Sequence, residues 1–196
     1  NNAGCMVPKH VLSTFGKLET NFCTNTFAPY VLTTKLLPLL MKSKDPRVLT
    51  VSSGGMYTEK LKLDDFNTNQ SAFNSTKVYA QNKRQQVVMM ERFAASNRGV
   101  FFATMHPGWA DTPAVKTSMP SFHANLQRLL RTPEQGADTL IWLATCKDIP
   151  QKYENGSFFF DRKPVSKHLS MGKTQSTIGD EEKLITELDA LMIELQ

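Results

Sequence analysis

The chain has 196 residues, of which 40% are hydrophobic, 21% charged and 9% aromatic, with a formal net charge of +5. That length suits one domain with a real core, and the composition excludes a disordered chain, which would pair low hydrophobicity with high net charge. The longest apolar stretch, Tyr30 to Met41, is broken by Thr33, Thr34, Lys35 and Pro38, and falls short of the roughly 18 apolar residues a membrane span requires.

Residues 14 to 42 predict a long helix with apolar positions at Phe22, Phe27, Tyr30, Leu36, Leu37 and Leu40, and with Pro29 inside it. Lys44-Asp45-Pro46 predicts a turn. Arg47 to Val51 is a β-branched, mostly apolar strand that ends in Ser52-Ser53-Gly54-Gly55. Residues 56 to 75 are polar and loop-like. Residues 76 to 97 predict a second long helix, with Val87, Val88, Met90 and Phe93 towards its apolar side. Val100 to Met105 is a buried-type strand stopped by His106-Pro107-Gly108. Pro120 to Arg131 and Pro133 to Cys146 predict helices, the latter with proline in its first turn. Gly156 to Phe160 is a short strand. Asp180 to Leu195 is an amphipathic helix with an Asp cap and Leu184, Leu188, Leu191 and Leu195 on one face. Helices alternating with continuous apolar strands predict an α/β fold on a parallel sheet. No repeat or internal linker divides the chain, so residues 1 to 170 read as one globular portion and 171 to 196 as a tail carrying the acidic helix.

Cys5, Cys23 and Cys146 lie far apart without a CxxC pair, which predicts neither a disulfide framework nor a zinc knuckle and favours a reducing, intracellular compartment. The four histidines lack metal-ligand spacing, and no metal is expected. Acids outnumber bases from Asp180 onward, so the rest of the chain is strongly basic. Without a zinc finger, an aromatic RNA-binding motif or an arginine-rich tract, that charge is no signal for nucleic acid. Gly172-Lys173-Thr174 lacks the upstream glycine of a phosphate loop. Asn-x-Ser/Thr sequons at Asn69, Asn74 and Asn155 are short enough to arise by chance.

The residues that suggest chemistry begin with Tyr79-Ala80-Gln81-Asn82-Lys83, which sets a phenol and an ammonium four residues apart on one helix face. A free phenol with a pKa of about 10 exchanges protons poorly at neutral pH, and a nearby cation is expected to lower that value. Upstream, Ser53 stands at the carboxyl end of a strand, where open α/β sheets place their reactive groups. Downstream, the next strand ends in His106-Pro107-Gly108, followed by Asp111-Thr112. His106 is expected to shape that strand end.

Asn1-Asn2-Ala3-Gly4, Ser53, the Tyr79/Lys83 pair, and Pro107-Gly108 with Thr112, in that order, resemble the short-chain dehydrogenase/reductase family over residues 1 to about 165. The resemblance implies a Rossmann-like, doubly wound parallel sheet and an NAD(P)-dependent oxidoreductase acting on a small-molecule carbonyl or alcohol. Tyr79 would be the general acid/base, and Lys83 would hold the nicotinamide ribose while lowering the tyrosine pKa. Ser53 would hydrogen-bond the substrate oxygen. Asn2, Ala3 and Gly4 would close a strand end beside the cofactor, with Pro107 and Gly108 nearby and Thr112 at the nicotinamide amide or the phosphates. For the family's catalytic asparagine, Asn21 and Asn25 are candidates. Asn25 is preferred because it stands eight residues before Thr33, matching the family's spacing. Pro29 has no N–H for the Asn25 carbonyl, and a free carbonyl there suits the relay water that the family holds at that position.

The chain departs from the family in having Pro29 and Ala28 in that helix, and in having no glycine-rich phosphate turn. The Asn1-to-Gly4 motif belongs after the family's fourth strand, which places roughly 90 residues of sheet ahead of it. The sheet is therefore expected to be incomplete, with the N-terminal strands and glycine turn missing. NAD and NADP are not distinguished by these residues. Two expectations follow: part of an active oxidoreductase, or a truncated chain that binds no cofactor and acts as an interaction protein, with copies pairing through the long helices. Met119, Pro120, Phe122 and Leu126 in the span Thr112–Arg131 suggest an apolar lid over a lipophilic substrate.

Overall fold

A computed structural model describes residues 1–14, 18–118 and 120–195, without the side chains of Ala114 and Phe122. Its centre is a sheet of four strands in the order β1 (Arg47–Val51), β2 (Phe101–Met105), β3 (Ser157–Phe160), β4 (Lys163–Pro164). The first three are parallel, with Val51 opposite Met105 and Met105 opposite Phe159. β4 turns back antiparallel through Asp161 and Arg162, both at positive φ (48° and 59°). Such a two-residue turn matches the right-handed twist of the flanking strands. Hydrophobic pattern did not announce β4, which is two exposed residues long. Beyond β1, the Asn1 amine donates to the Leu49 carbonyl (2.8 Å) and the Asn1 carbonyl accepts from the Val51 N–H (2.9 Å). One residue bonded to two positions two apart is the parallel ladder pattern.

Both faces of the sheet are covered. Phe101, Ala103, Met105 and Phe159 pack on one side against Leu143 of α6 (Pro133–Thr145) and Ile149 of α7 (Ile149–Lys152). Phe102 and Val48 point the other way, into Val88, Met89, Met90 and Phe93 of α3 (Ser75–Ser96). Burial on two faces is why all five residues of β2 are buried and why the strand, Thr104 apart, is apolar rather than alternating.

The first long helix begins later than the expected residue 14. Leu12 pairs with Glu19 as an isolated bridge, and residues 15–17 lie outside the described residues. α1 (Thr20–Phe22) is capped by the Glu19 carboxylate, which accepts from the Phe22 N–H (3.0 Å). It runs into a π-helical turn over Cys23–Phe27 and then α2 (Ala28–Leu40). Pro29 explains the wide turn, because it cannot donate to the Asn25 carbonyl and its ring crowds that carbonyl. The Ala28 N–H reaches back to Cys23 instead.

Two further elements differ at their ends. The predicted helix Pro120 to Arg131 is α5 (Pro120–Leu126) followed by a 3₁₀ turn over Gln127–Leu129. α8 (Ile178–Glu194) is capped by Thr177, not Asp180; Asp180 closes a capping box with it. Leu184 and Leu188 of α8 are fully buried in the α3 core. The Tyr30 hydroxyl of α2 donates to Asp189 (2.6 Å), and burial and that carboxylate raise its pKa well above the ordinary value. Arg84 of α3, also buried, donates to the Met56 and Lys167 carbonyls and to Thr174, tying residues 167–174 back to the helix. The Gly172-Lys173-Thr174 stretch thus belongs to a strap. No helix among the described residues is long and apolar enough to cross a membrane.

Leu188→Ala is expected to lower stability by about 2–5 kcal/mol, because it empties a fully buried site between helices. A fall in the urea midpoint with an unchanged slope would show it.

Candidate active site

The carboxyl ends of β1 and β2 and the first half of α3 meet at one edge of the sheet. α3 begins at Asn74, whose side chain accepts from the Lys77 N–H (2.9 Å). One turn further, the helical period sets Tyr79 and Lys83 on one face, with the Lys83 Nζ 5.4 Å from the Tyr79 ring centroid. Lys83 is 3% exposed and donates to the carbonyl of Val51, the last residue of β1 (2.9 Å). The Ser52 hydroxyl donates to the Lys83 carbonyl (2.9 Å), so helix and strand end are joined twice. Burial disfavours the ammonium and pushes the Lys83 pKa down to about 8.

Ser53 opens the 3₁₀ turn Gly54–Thr58, and its hydroxyl accepts from the Gly55 N–H (3.2 Å). The Ser53 hydroxyl lies near enough to Tyr79 to pull its pKa downward, but burial is the larger effect and the phenol stands above its ordinary value. The net direction is thus set by burial rather than by the neighbouring cation. The Lys83 ammonium lies over the ring and is bonded to the Val51 carbonyl, while the partner that favours phenolate is Ser53.

The N-terminal segment is held by two asparagines one helical turn apart. Asn25 exchanges two hydrogen bonds with the backbone of Cys5 (2.9 and 2.8 Å), and Asn21 two with Val7 (2.6 and 3.3 Å). Both are fully buried. A four-residue helical step thus matches a two-residue extended step. A Cβ on Gly4 would lie 3.1 Å from the Asn25 Oδ1 and 3.6 Å from the Lys83 Nζ, so the backbone runs close against both side chains. Asn2, Ala3 and Gly4 are exposed beside it.

The Asn25 carbonyl that Pro29 leaves without a helical partner is not open. The Gln86 side chain donates to it (2.5 Å). Sequence reasoning missed Gln86 and its neighbours Asn82 and Gln85, which link Asn25 and Thr26 to α3. The signal was present: three amides at positions i, i+3 and i+4 make a polar stripe on a helix that is otherwise core.

At the end of β2, the His106 Nδ1 accepts from the Gly54 N–H (3.1 Å), and burial and Arg131 lower its pKa to about 4. Gly108 has φ +74°, and a Cβ there would meet Arg131 at 2.6 Å. Pro107 packs on Gly136 of α6. Thr112 caps α4 (Pro113–Ser118), its hydroxyl accepting from the Val115 N–H (3.3 Å). The span Thr112–Arg131 folds as α4 and α5, with Met119 and the Phe122 side chain outside the described residues. The edge therefore offers a phenol, a hydroxyl beside it and a buried amine: a proton donor, an oxygen-binding group and a cation.

No family model matches the chain. It is 54% identical over 191 residues to dehydrogenase/reductase SDR family member 12 of Bos taurus and 52% identical to that of Homo sapiens, in each case over 97% of this chain. The chain spans 60% of the length of these relatives. Among solved structures, an uncharacterized protein from Mycobacterium Paratuberculosis superposes with a TM-score of 0.69 at 21% identity, over 98% of this chain and 65% of that one. A 7 alpha-hydroxysteroid dehydrogenase complexed with NADH gives 0.58 at 19% identity, over 90% and 64%. In its sheet order, its doubly covered parallel strands and its sequence, the chain is similar to members of the short-chain dehydrogenase/reductase family.

Proposed function

We propose that these residues are the catalytic part of an oxidoreductase that moves a hydride between NAD(P)(H) and a carbonyl or alcohol. The observation that carries this is the contact of the Ser53 hydroxyl with Tyr79 one helical turn from the buried Lys83. A bound nicotinamide supplies or takes the hydride; the likeness to a dehydrogenase holding NADH supports that cofactor class. The residues present fit its nicotinamide end. The Gly4 backbone is exposed on one side, with the Asn25 amide and the Lys83 amine close behind it.

Within this site, Ser53 and Tyr79 bind the substrate oxygen. With its pKa raised by burial, Tyr79 is a neutral phenol at pH 7 and donates its proton as the carbonyl is reduced. Ser53 stabilises the phenolate left behind. Lys83 holds the ribose. Asn25 acts by fixing Cys5, and hence the Gly4 backbone, rather than by touching substrate. Thr112, Asn2 and Ala3 line the cofactor's side.

A second reading rests on the absence of a glycine-rich phosphate turn from these 196 residues. By themselves they would then bind no dinucleotide and act only through interaction with other chains.

In the full-length protein, Tyr79→Phe is expected to abolish turnover while the cofactor dissociation constant stays within about twofold; retained turnover would refute the acid/base role of Tyr79. Reductive kcat/KM is expected to fall as pH rises through about 8, where Lys83 loses its charge. Lys83→Arg, which stays charged, should remove that limb whatever it does to the plateau. For the 196-residue chain alone, titration with NADH or NADPH is expected to give no saturable fluorescence quenching, and saturation would exclude the second reading.

A further inference from the structure

His106 lies between two elements of the site without belonging to the acid/base pair. On one side its Nδ1 accepts the Gly54 N–H at 3.1 Å, and a Cβ on Gly54 would stand 3.0 Å from its Nε2, so the ring is packed against that loop's backbone. On the other side it stacks on Phe160 of β3, with centroids 5.1 Å apart and planes 19° apart. The Arg131 guanidinium covers Phe160 at 4.7 Å and is itself held by a two-pronged pair with Asp161 (2.5 and 2.7 Å). The imidazole therefore forms the inner layer of a clamped stack.

Gly54 directly follows Ser53 and begins the 3₁₀ turn that Ser53 caps. The first N–H groups of a helical turn have no partner within it. Here Gly55 is satisfied by the Ser53 hydroxyl and Gly54 by the imidazole of another strand. Both bonds bear on the turn that Ser53 opens, and the hydroxyl of that residue is the one that acts on Tyr79. We propose that His106 is a positioning residue that, as a fixed neutral acceptor, sets the Ser53 hydroxyl against Tyr79. Only the tautomer with its proton on Nε2 can accept at Nδ1, and an imidazolium could not. Burial and Arg131 keep the ring neutral across the working pH range, against the weaker opposing pull of Asp161.

The proposal rests on the roles assigned to Ser53 and Tyr79, so the test in the full-length protein separates the two. His106→Phe keeps the stack and removes the acceptor. It is expected to lower kcat about tenfold, as small misplacements of reacting groups do, with cofactor KM unchanged. Tyr79 is faced by Ser53, Lys83 and Cys5. Loss of the Ser53 contact should move its limb in the oxidative pH profile upward. His106→Asn, whose amide oxygen can accept from Gly54, should restore most of kcat. Combined with Ser53→Ala, His106→Phe should add no further loss. A His106→Phe enzyme with wild-type kcat and pH limb, or losses that add in full, overturns the proposal. Turnover surviving Ser53→Ala or Tyr79→Phe overturns the underlying roles instead. In the unsubstituted protein, a scalar coupling across the hydrogen bond between the Gly54 and His106 Nδ1 nitrogens is expected in NMR spectra. Its absence, or a proton on Nδ1, equally overturns the proposal, even if His106→Phe fails to fold.

Discussion

A lysine ammonium buried at the end of a strand is the contact on which the rest of the site turns. Lys83 is nearly inaccessible and spends a hydrogen bond on the Val51 carbonyl. Removing an ammonium from water is costly, and the lowered pKa is the direct sign of that cost. A group kept in such a place is a candidate for function. The same contact also orders the architecture. It pins α3 against β1, and the Ser52 bond to the Lys83 carbonyl fixes the helix along its own axis. Once α3 is fixed in this way, Tyr79 is carried to Ser53 by the helical period alone.

The polar stripe of α3 shows a second constraint. Asn82, Lys83, Arg84, Gln85 and Gln86 are consecutive and all buried, which a helix tolerates only if each finds partners. They find them on different elements: Asn25 and Thr26 in the π-helical turn, Val51 in β1, Met56 in the following loop, and Lys167 and Thr174 in the strap. α3 is thereby the hub to which each segment is tied by hydrogen bonds as well as by apolar contact. Pro29 is part of the same logic. It withdraws a donor from Asn25, and Gln86 replaces that donor from the side. The first helix is thus registered against α3 by a bond that an uninterrupted helix would have made internally.

The sheet contributes rigidity of a different kind. Its central strand is enclosed by α3 and α8 on one face and by α6 and α7 on the other. The loops leaving β1 and β2 therefore start from fixed points. Ser53 and His106 each follow a buried residue, Ser52 and Met105, and the Ser52 N–H donates to the Met105 carbonyl (2.8 Å). Their proximity follows from the register Val51 to Met105.

Much of the fold was legible from local pattern. The strands Arg47 to Val51 and Val100 to Met105, the long helix through Lys83 and the leucine face of α8 follow from hydrophobic periodicity, which is a property of the sequence alone. Helix ends were less legible. Glu19 and Thr177 serve as caps only because the chain approaches from particular directions, and the π-helical turn depends on both Pro29 and the Gln86 donor. In the site, spacing by itself determined that Tyr79 and Lys83 share a helix face and that Ser53 stands at a strand end. Only the tertiary structure decided the electrostatics. Burial, a property of neighbours distant in sequence, raises the Tyr79 phenol, lowers Lys83 and makes Ser53 the group that favours phenolate. Periodicity places a side chain on a face, but a pKa is set by everything that packs against that face.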